Sequence, residues 1–216
     1  MCAGSSDPVA HFITFEGGEG VGKSTQLPRL AQMLRARGHD VVTTREPGGT
    51  EGAERIRDLA VAGDVDRWSP LTELLLMTAA RVDHVERVVL PALQRGAVVL
   101  CDRFIDSTRV YQGIAGGLGQ ARIDALHDLL LPEPRPVLTL VLDLPVEQAA
   151  ARRAAAGGGG RFEAKGRAFH EQVRAGFLAI ARQEPGRVRV VDAAAEPGAV
   201  ATAIAGHVLA LRDMGR

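Results

Sequence analysis

Phe12-Ile13-Thr14-Phe15-Glu16-Gly17-Gly18-Glu19-Gly20-Val21-Gly22-Lys23-Ser24-Thr25 sets a short aromatic and β-branched run directly against a glycine-rich loop. Beyond it Leu27, Leu30, Ala31 and Leu34 recur at helical spacing, so the segment reads as strand, tight loop, helix. Residues 17–24 satisfy G-x-x-x-x-G-K-[ST] in the strand-to-helix context that the pattern requires. The glycines let successive backbone N–H groups point inward at phosphate oxygens, and the helix starting near Lys23 adds a favourable dipole. Lys23 is expected to reach the β and γ phosphates of a nucleoside triphosphate and Ser24 to ligate Mg²⁺.

The same alternation continues outward. Gly38 ends the first helix, Asp40–Thr44 forms a second β-branched strand, and Pro47-Gly48-Gly49 turns the chain. Ser69 as N-cap and Pro70 at the first helical position open a long helix through about Arg95, stopped by Gly96. Ala97–Cys101 is the next strand. Val137–Leu142 and Val188–Val191 lack polar alternation and read as fully buried strands. Five strands alternating with helices predict an α/β fold, a parallel sheet covered on both faces, with ligand sites at the strand carboxyl ends, after Glu16, Thr44 and Cys101. One segment breaks the pattern: Gly157–Gly160 is flanked by Arg152, Arg153 and Arg161 and reads as a hinged, positively charged flap, where four glycines alone would read as a linker.

With 216 residues, 46% of them apolar, the chain supports one core and one domain, over 11–212 after a flexible tail at 1–10. Its formal charge of zero draws it neither to nucleic acid nor to an acidic membrane surface. Cys2 and Cys101 form neither a disulfide framework nor a metal cluster, and no signal-peptide or membrane-spanning run occurs. A cytoplasmic protein acting on small ligands is expected.

Other loop ends narrow the chemistry. Guanine reading by Asn-Lys-x-Asp is excluded, because the chain contains no asparagine. Asp102 and Arg103 close the third strand beside the loop, where Asp102 can hold Mg²⁺ and Arg103 presents a planar fork to phosphate oxygens; an ion pair capping the strand is the competing reading. Arg45 and Glu46 occupy the matching place after the second strand. None of the six histidines is expected to be catalytic.

Four motifs in register, Phe15 to Thr25, Thr44-Arg45-Glu46-Pro47-Gly48-Gly49-Thr50, Ala79-Ala80-Arg81, and Asp102-Arg103-Phe104 through Ser107-Thr108 to Tyr111-Gln112-Gly113, resemble the bacterial thymidylate kinases, a family of P-loop NTPase fold with a mobile lid. The resemblance runs from Phe12 to about His207. It implies transfer of the γ-phosphoryl group of Mg-ATP to dTMP, with Gly17, Gly18, Glu19, Gly20, Val21, Gly22, Lys23, Ser24 and Thr25 around ATP. Glu19 would approach the deoxyribose 3′-hydroxyl. Arg45 and Arg103 would hold the acceptor's 5′-phosphate, and Glu46, Pro47, Met77 and Ser107 would also border dTMP. Arg81 would donate to thymine O4, Thr108 and Gln112 would lie along the base, and Tyr111 would pack where a ribose 2′-hydroxyl would clash. The lid, about residues 152–163, would bring Arg152, Arg153 and Arg161 over the transferring group, and Lys23 and Arg103 complete the catalytic set. Two departures stand out: the glycine run replaces a mixed polar lid stretch, and Met77 occupies a position where relatives commonly stack a phenylalanine on thymine. Relatives pair through helices, and Leu74, Leu75 and Leu76 give the long helix surplus apolar surface for a homodimer. Two other readings stay open: a kinase for another nucleoside monophosphate, and a non-catalytic ATP-binding module.

Overall fold

Each apolar run becomes a strand: β1 (Phe12–Glu16), β2 (Val41–Arg45), β3 (Val98–Asp102), β4 (Leu138–Asp143) and β5 (Val188–Asp192). The computed structural model describes residues 11–157, 161–162 and 164–211. The expected tail at 1–10, and residues 158–160 of the glycine run, lie outside them. All strand pairs are parallel, in the order β2-β3-β1-β4-β5, so the strand leading into the phosphate loop is central.

Side chains alternate across the sheet. Ile13 and Phe15 of β1 pack on one face with Leu27, Leu30 and Leu34 of α1 (Lys23–Ala36) and Val200, Ile204 and Val208 of α9 (Pro197–Ala210). On the other face Phe12, Val99 and Cys101 meet α3 (Pro70–His84), α4 (Leu90–Gln94) and α6 (Gln120–Leu130). Beside them α8 (Arg167–Gln183) covers Val141 and Val188. Glu16 therefore emerges on the α3 side. The remaining helices among the described residues are α2 (Glu51–Val61), α5 (Ile105–Thr108), which continues into a π-helical segment (Arg109–Ile114), and α7 (Val146–Ala155).

The long helix starts where expected, with the Ser69 hydroxyl accepting from Thr72 N. It is not uniform: residues 85–89 form a π turn that continues into α4. Pro91 lacks the N–H for an α-helical bond to residue 87, and a widened turn accommodates it. Val188–Val191 is a correction: β5 is an edge strand and Val190 is 44% exposed. Arg189 interrupts the valines, and its half-buried place beside the exposed Val190 is the mark of an edge strand that a reading of the valines alone passes over. No helix among the described residues is long and apolar enough to cross a membrane.

Candidate active site

At the carboxyl end of β1 the chain turns at Gly17 with φ 127°, where a Cβ would lie 2.5 Å from the Leu142 carbonyl oxygen, so only glycine fits. Lys23 opens α1, is buried, and donates to the carbonyls of Gly17 (3.2 Å) and Gly18 (2.9 Å). Burial and then Arg103 push its ammonium pKa down, against Asp102, Glu19 and Glu16. An arriving polyphosphate would offer Lys23 better partners than these two neutral carbonyls.

The third strand ends at Asp102, and Arg103 follows in the left-handed region, φ 69°, rare for a side chain of this size. The conformation is held from both sides. Arg103 N donates to the Phe15 carbonyl, and the buried Glu16 carboxylate accepts from Phe104 N (2.8 Å), Ser107 N (3.2 Å) and the Ser107 hydroxyl (2.6 Å). The guanidinium donates to the Gly17 carbonyl (3.0 Å), Ser107 Oγ (3.0 Å) and Glu19 Oε1 (2.7 Å), and lies 5.1 Å over the Tyr111 ring. Tyr111 donates to the same Glu19 oxygen at 3.3 Å. Burial alone would raise the Glu19 carboxyl; Arg103, Lys23, Tyr111 and Arg153 outweigh it and hold it at about 2.

These groups border a cleft of about 380 Å³, a volume suited to a small ligand. Arg45, Glu46, Pro47, Met77, Arg81, Ser107, Thr108 and Gln112 line it together with Glu19, Lys23, Ser24, Asp102, Arg103 and Tyr111. Arg45 stands at the mouth, bonded to Glu54 at 2.7 Å, while Glu46 is buried against Arg81 (2.7 Å). Arg81 also donates to Thr108 Oγ1 at 2.8 Å. Ser24 and Asp102 line the same cleft, and Asp102 Oδ1 is buried without a protein partner among the described residues. An orphaned carboxylate oxygen in a cleft that also carries a hydroxyl fits a hard divalent cation that keeps several waters.

The three flap arginines do not share one place. Arg152 is exposed at the end of α7. Arg153 reaches the phosphate loop, donating to the Glu19 carbonyl at 3.3 Å. Arg161 is buried at the far end of the cleft, donating to Ala60 O (3.0 Å), Val65 O (3.2 Å) and the Glu73 carboxylate.

Sequence reading passed over Glu16, Arg57, Glu73 and Phe162. Arg57 donates to the Pro47 carbonyl at 2.9 Å and lines the cleft. Glu73 accepts from Gln112 Nε2 at 2.7 Å as well as from Arg161. Phe162 meets the Tyr111 ring edge-on at 5.7 Å. For Glu73 a signal existed: it precedes Met77 and Arg81 at intervals of four, which places all three on one helix face.

Comparison with known proteins agrees with this geometry. The family model described as Thymidylate kinase matches residues 15–204. The thymidylate kinase of Caulobacter vibrioides is 61% identical over 198 residues, 92% of this chain and 95% of the relative. That of Jannaschia sp. is 53% identical over 194 residues, 89% and 93% of the two chains. The crystal structure of thymidylate kinase from Ehrlichia chaffeensis superposes with a TM-score of 0.75 at 34% identity, over 93% of this chain and 99% of that one.

Proposed function

The chain belongs to the thymidylate kinase family, whose function is phosphorylation of dTMP from ATP, and on that premise we propose how its residues divide the work. The loop from Gly17 to Thr25 holds the ATP phosphates, with Lys23 leaving the Gly17 and Gly18 carbonyls for the β and γ oxygens. Ser24 and Asp102 would hold Mg²⁺, which would supply charge neutralisation at the donor's phosphates.

On the acceptor side Arg103 and Arg45 take the 5′-phosphate of dTMP, and Glu19 the 3′-hydroxyl. Arg81 donates to thymine O4, Thr108 and Gln112 border the base, and Met77 fills the space over it. Tyr111 occupies the position a 2′-hydroxyl would need. No general base is required, because a phosphate monoester with its second pKa near 6 is largely dianionic at neutral pH. The protein positions two polyanions in line and screens their repulsion, with Arg153 the flap arginine nearest the transferring group.

The observation that carries this reading is the placement of Arg103. One guanidinium bonds the phosphate loop at Gly17 and Glu19 and the cleft wall at Ser107, which supports a place for it between the two substrates. ADP release should be measured with dTMP, dUMP, dCMP, AMP and GMP as acceptors. We expect dTMP to be preferred, and Lys23→Ala or Arg103→Ala to lower turnover at least about 100-fold in a folded protein. Near-wild-type turnover in either variant, or preference for a ribonucleotide, would refute the residue assignments.

The protein acts as a cytoplasmic homodimer in this reading. Leu71 and Leu75 of α3 are each about half exposed, at 50% and 52%, on the side of the helix away from the cleft, which supports pairing through that face.

A further inference from the structure

The turn after β2 carries more than the phosphate reading uses. Thr44 Oγ1 lies 2.7 Å from Nε2 of His84, the last residue of α3, which is fully buried. His84 Nδ1 lies 2.9 Å from Glu46 Oε1, and the other oxygen of that carboxylate accepts from Arg81 Nε at 2.7 Å. Arg81 then donates to Thr108 Oγ1 and lies 5.1 Å over the Phe104 ring. Thr44, His84, Glu46, Arg81 and Thr108 thus form one unbroken chain from the end of β2 to the wall of the cleft.

The turn itself presses on this chain. A Cβ on Gly49 would lie 2.6 Å from His84 Cδ2 and 2.7 Å from Thr44 Oγ1, so the second glycine of Pro47-Gly48-Gly49 leaves room for that contact. A carboxylate offers no proton, so Nδ1 carries the hydrogen and donates to Glu46. The link therefore requires an N–H donor at the place of Nδ1, a demand that a purely apolar contact would not make.

We propose that His84 is a positioning residue for acceptor-base selection, fixing Glu46 so that the Arg81 guanidinium stays turned toward a carbonyl on the base edge. The inference rests on the reading of Arg81 above. Pinned at Nε by Glu46 and at Nη2 by Thr108, the guanidinium presents donors only. A base with a carbonyl there accepts them, and one with an amino group brings donor against donor and leaves both unpaired. Without the His84 hydrogen bond Glu46 can turn, Arg81 can follow it, and the amino-bearing base is rejected less.

The test compares kcat/KM for dTMP and dCMP at saturating ATP in the wild type, Arg81→Gln, His84→Leu and His84→Asn, with thermal unfolding of each. In His84→Leu the dTMP preference should fall about tenfold, through a higher KM for dTMP together with a higher kcat/KM for dCMP. His84→Asn, whose amide can donate from the place of Nδ1, should recover most of it. Should His84→Leu not fold, His84→Gln, which keeps a partner for Thr44 and removes the Nδ1 donor, should give the same tenfold loss. A preference unchanged in the folded His84 variant while Arg81→Gln abolishes it would overturn the role of His84 alone. A preference unchanged in Arg81→Gln would overturn the base-reading role of Arg81, and the inference with it.

Discussion

Glu16 shows how one carboxyl can be set by three hydrogen bonds and a sheet. Burial foremost, and then Asp106, raise its pKa from 4.5 to about 7, against Arg103 and the donors from Ser107 and Phe104. The folded chain holds that proton up to about pH 7, whereas the unfolded chain releases it near 4.5. This group's contribution to stability is therefore full below pH 4.5 and is lost as the pH climbs to about 7. Urea unfolding at pH 5 and pH 8 should show Glu16→Gln gaining on the wild type by on the order of 2 kcal/mol across that interval. Parallel pH profiles would remove the ionisation from the account. A second expectation concerns Met77, which is buried in the cleft wall. Met77→Phe should tighten dTMP by about 1 kcal/mol through offset stacking, seen as a lower dissociation constant in calorimetry. Weaker binding would mean that the methionine fits the site better than a ring does. Lys23 and Arg103 could be read from spacing because motif and loop coincide. Glu16 could not, since an acid closing an apolar strand looks the same whether it meets solvent or three donors.

Among the elements, α3 carries the densest polar content. Glu73, Met77, Arg81 and His84 recur at intervals of four, four and three and are all buried, although two are charged and one is a histidine. A periodicity of this kind marks the inward face whatever its polarity. Only the tertiary partners decide its use, and these come from remote segments: Arg161 for Glu73, Glu46 for Arg81, Thr44 for His84. The arginines around the glycine run were legible in the sequence, but not their separate destinations. Arg161→Ala should cost about 3 kcal/mol in urea unfolding by leaving Glu73 buried with one partner fewer. Arg153→Ala should change stability by less than about 1 kcal/mol and lower phosphoryl transfer at saturating substrates. The opposite ordering of the two variants would make Arg161 the residue over the transferring group.

For the molecule as a whole, alternation of strands with helices gave the α/β class, and the phosphate loop gave the strand to which everything else is referred. The spatial order β2-β3-β1-β4-β5 was not legible, because a parallel strand has the same composition at several positions in a covered sheet. Assembly is likewise decided on a surface rather than in the core. For the homodimer proposed above, Leu75→Glu should convert dimer to monomer in sedimentation velocity without loss of helical circular dichroism, whereas an unchanged sedimentation coefficient would overturn pairing through this face. One feature reaches across these scales. Glu16 and Gly17 are neighbours in the chain, yet the first fixes the turn that presents Arg103 and the second opens the phosphate loop. In the division of work proposed above, the two halves of the reaction are thus spaced by a single peptide at the end of the central strand. On that proposal the base-reading face of α3 could be rewritten for a new acceptor while this gauge stays the same, but an insertion or deletion at residues 16–17 would set both substrates out of line at once.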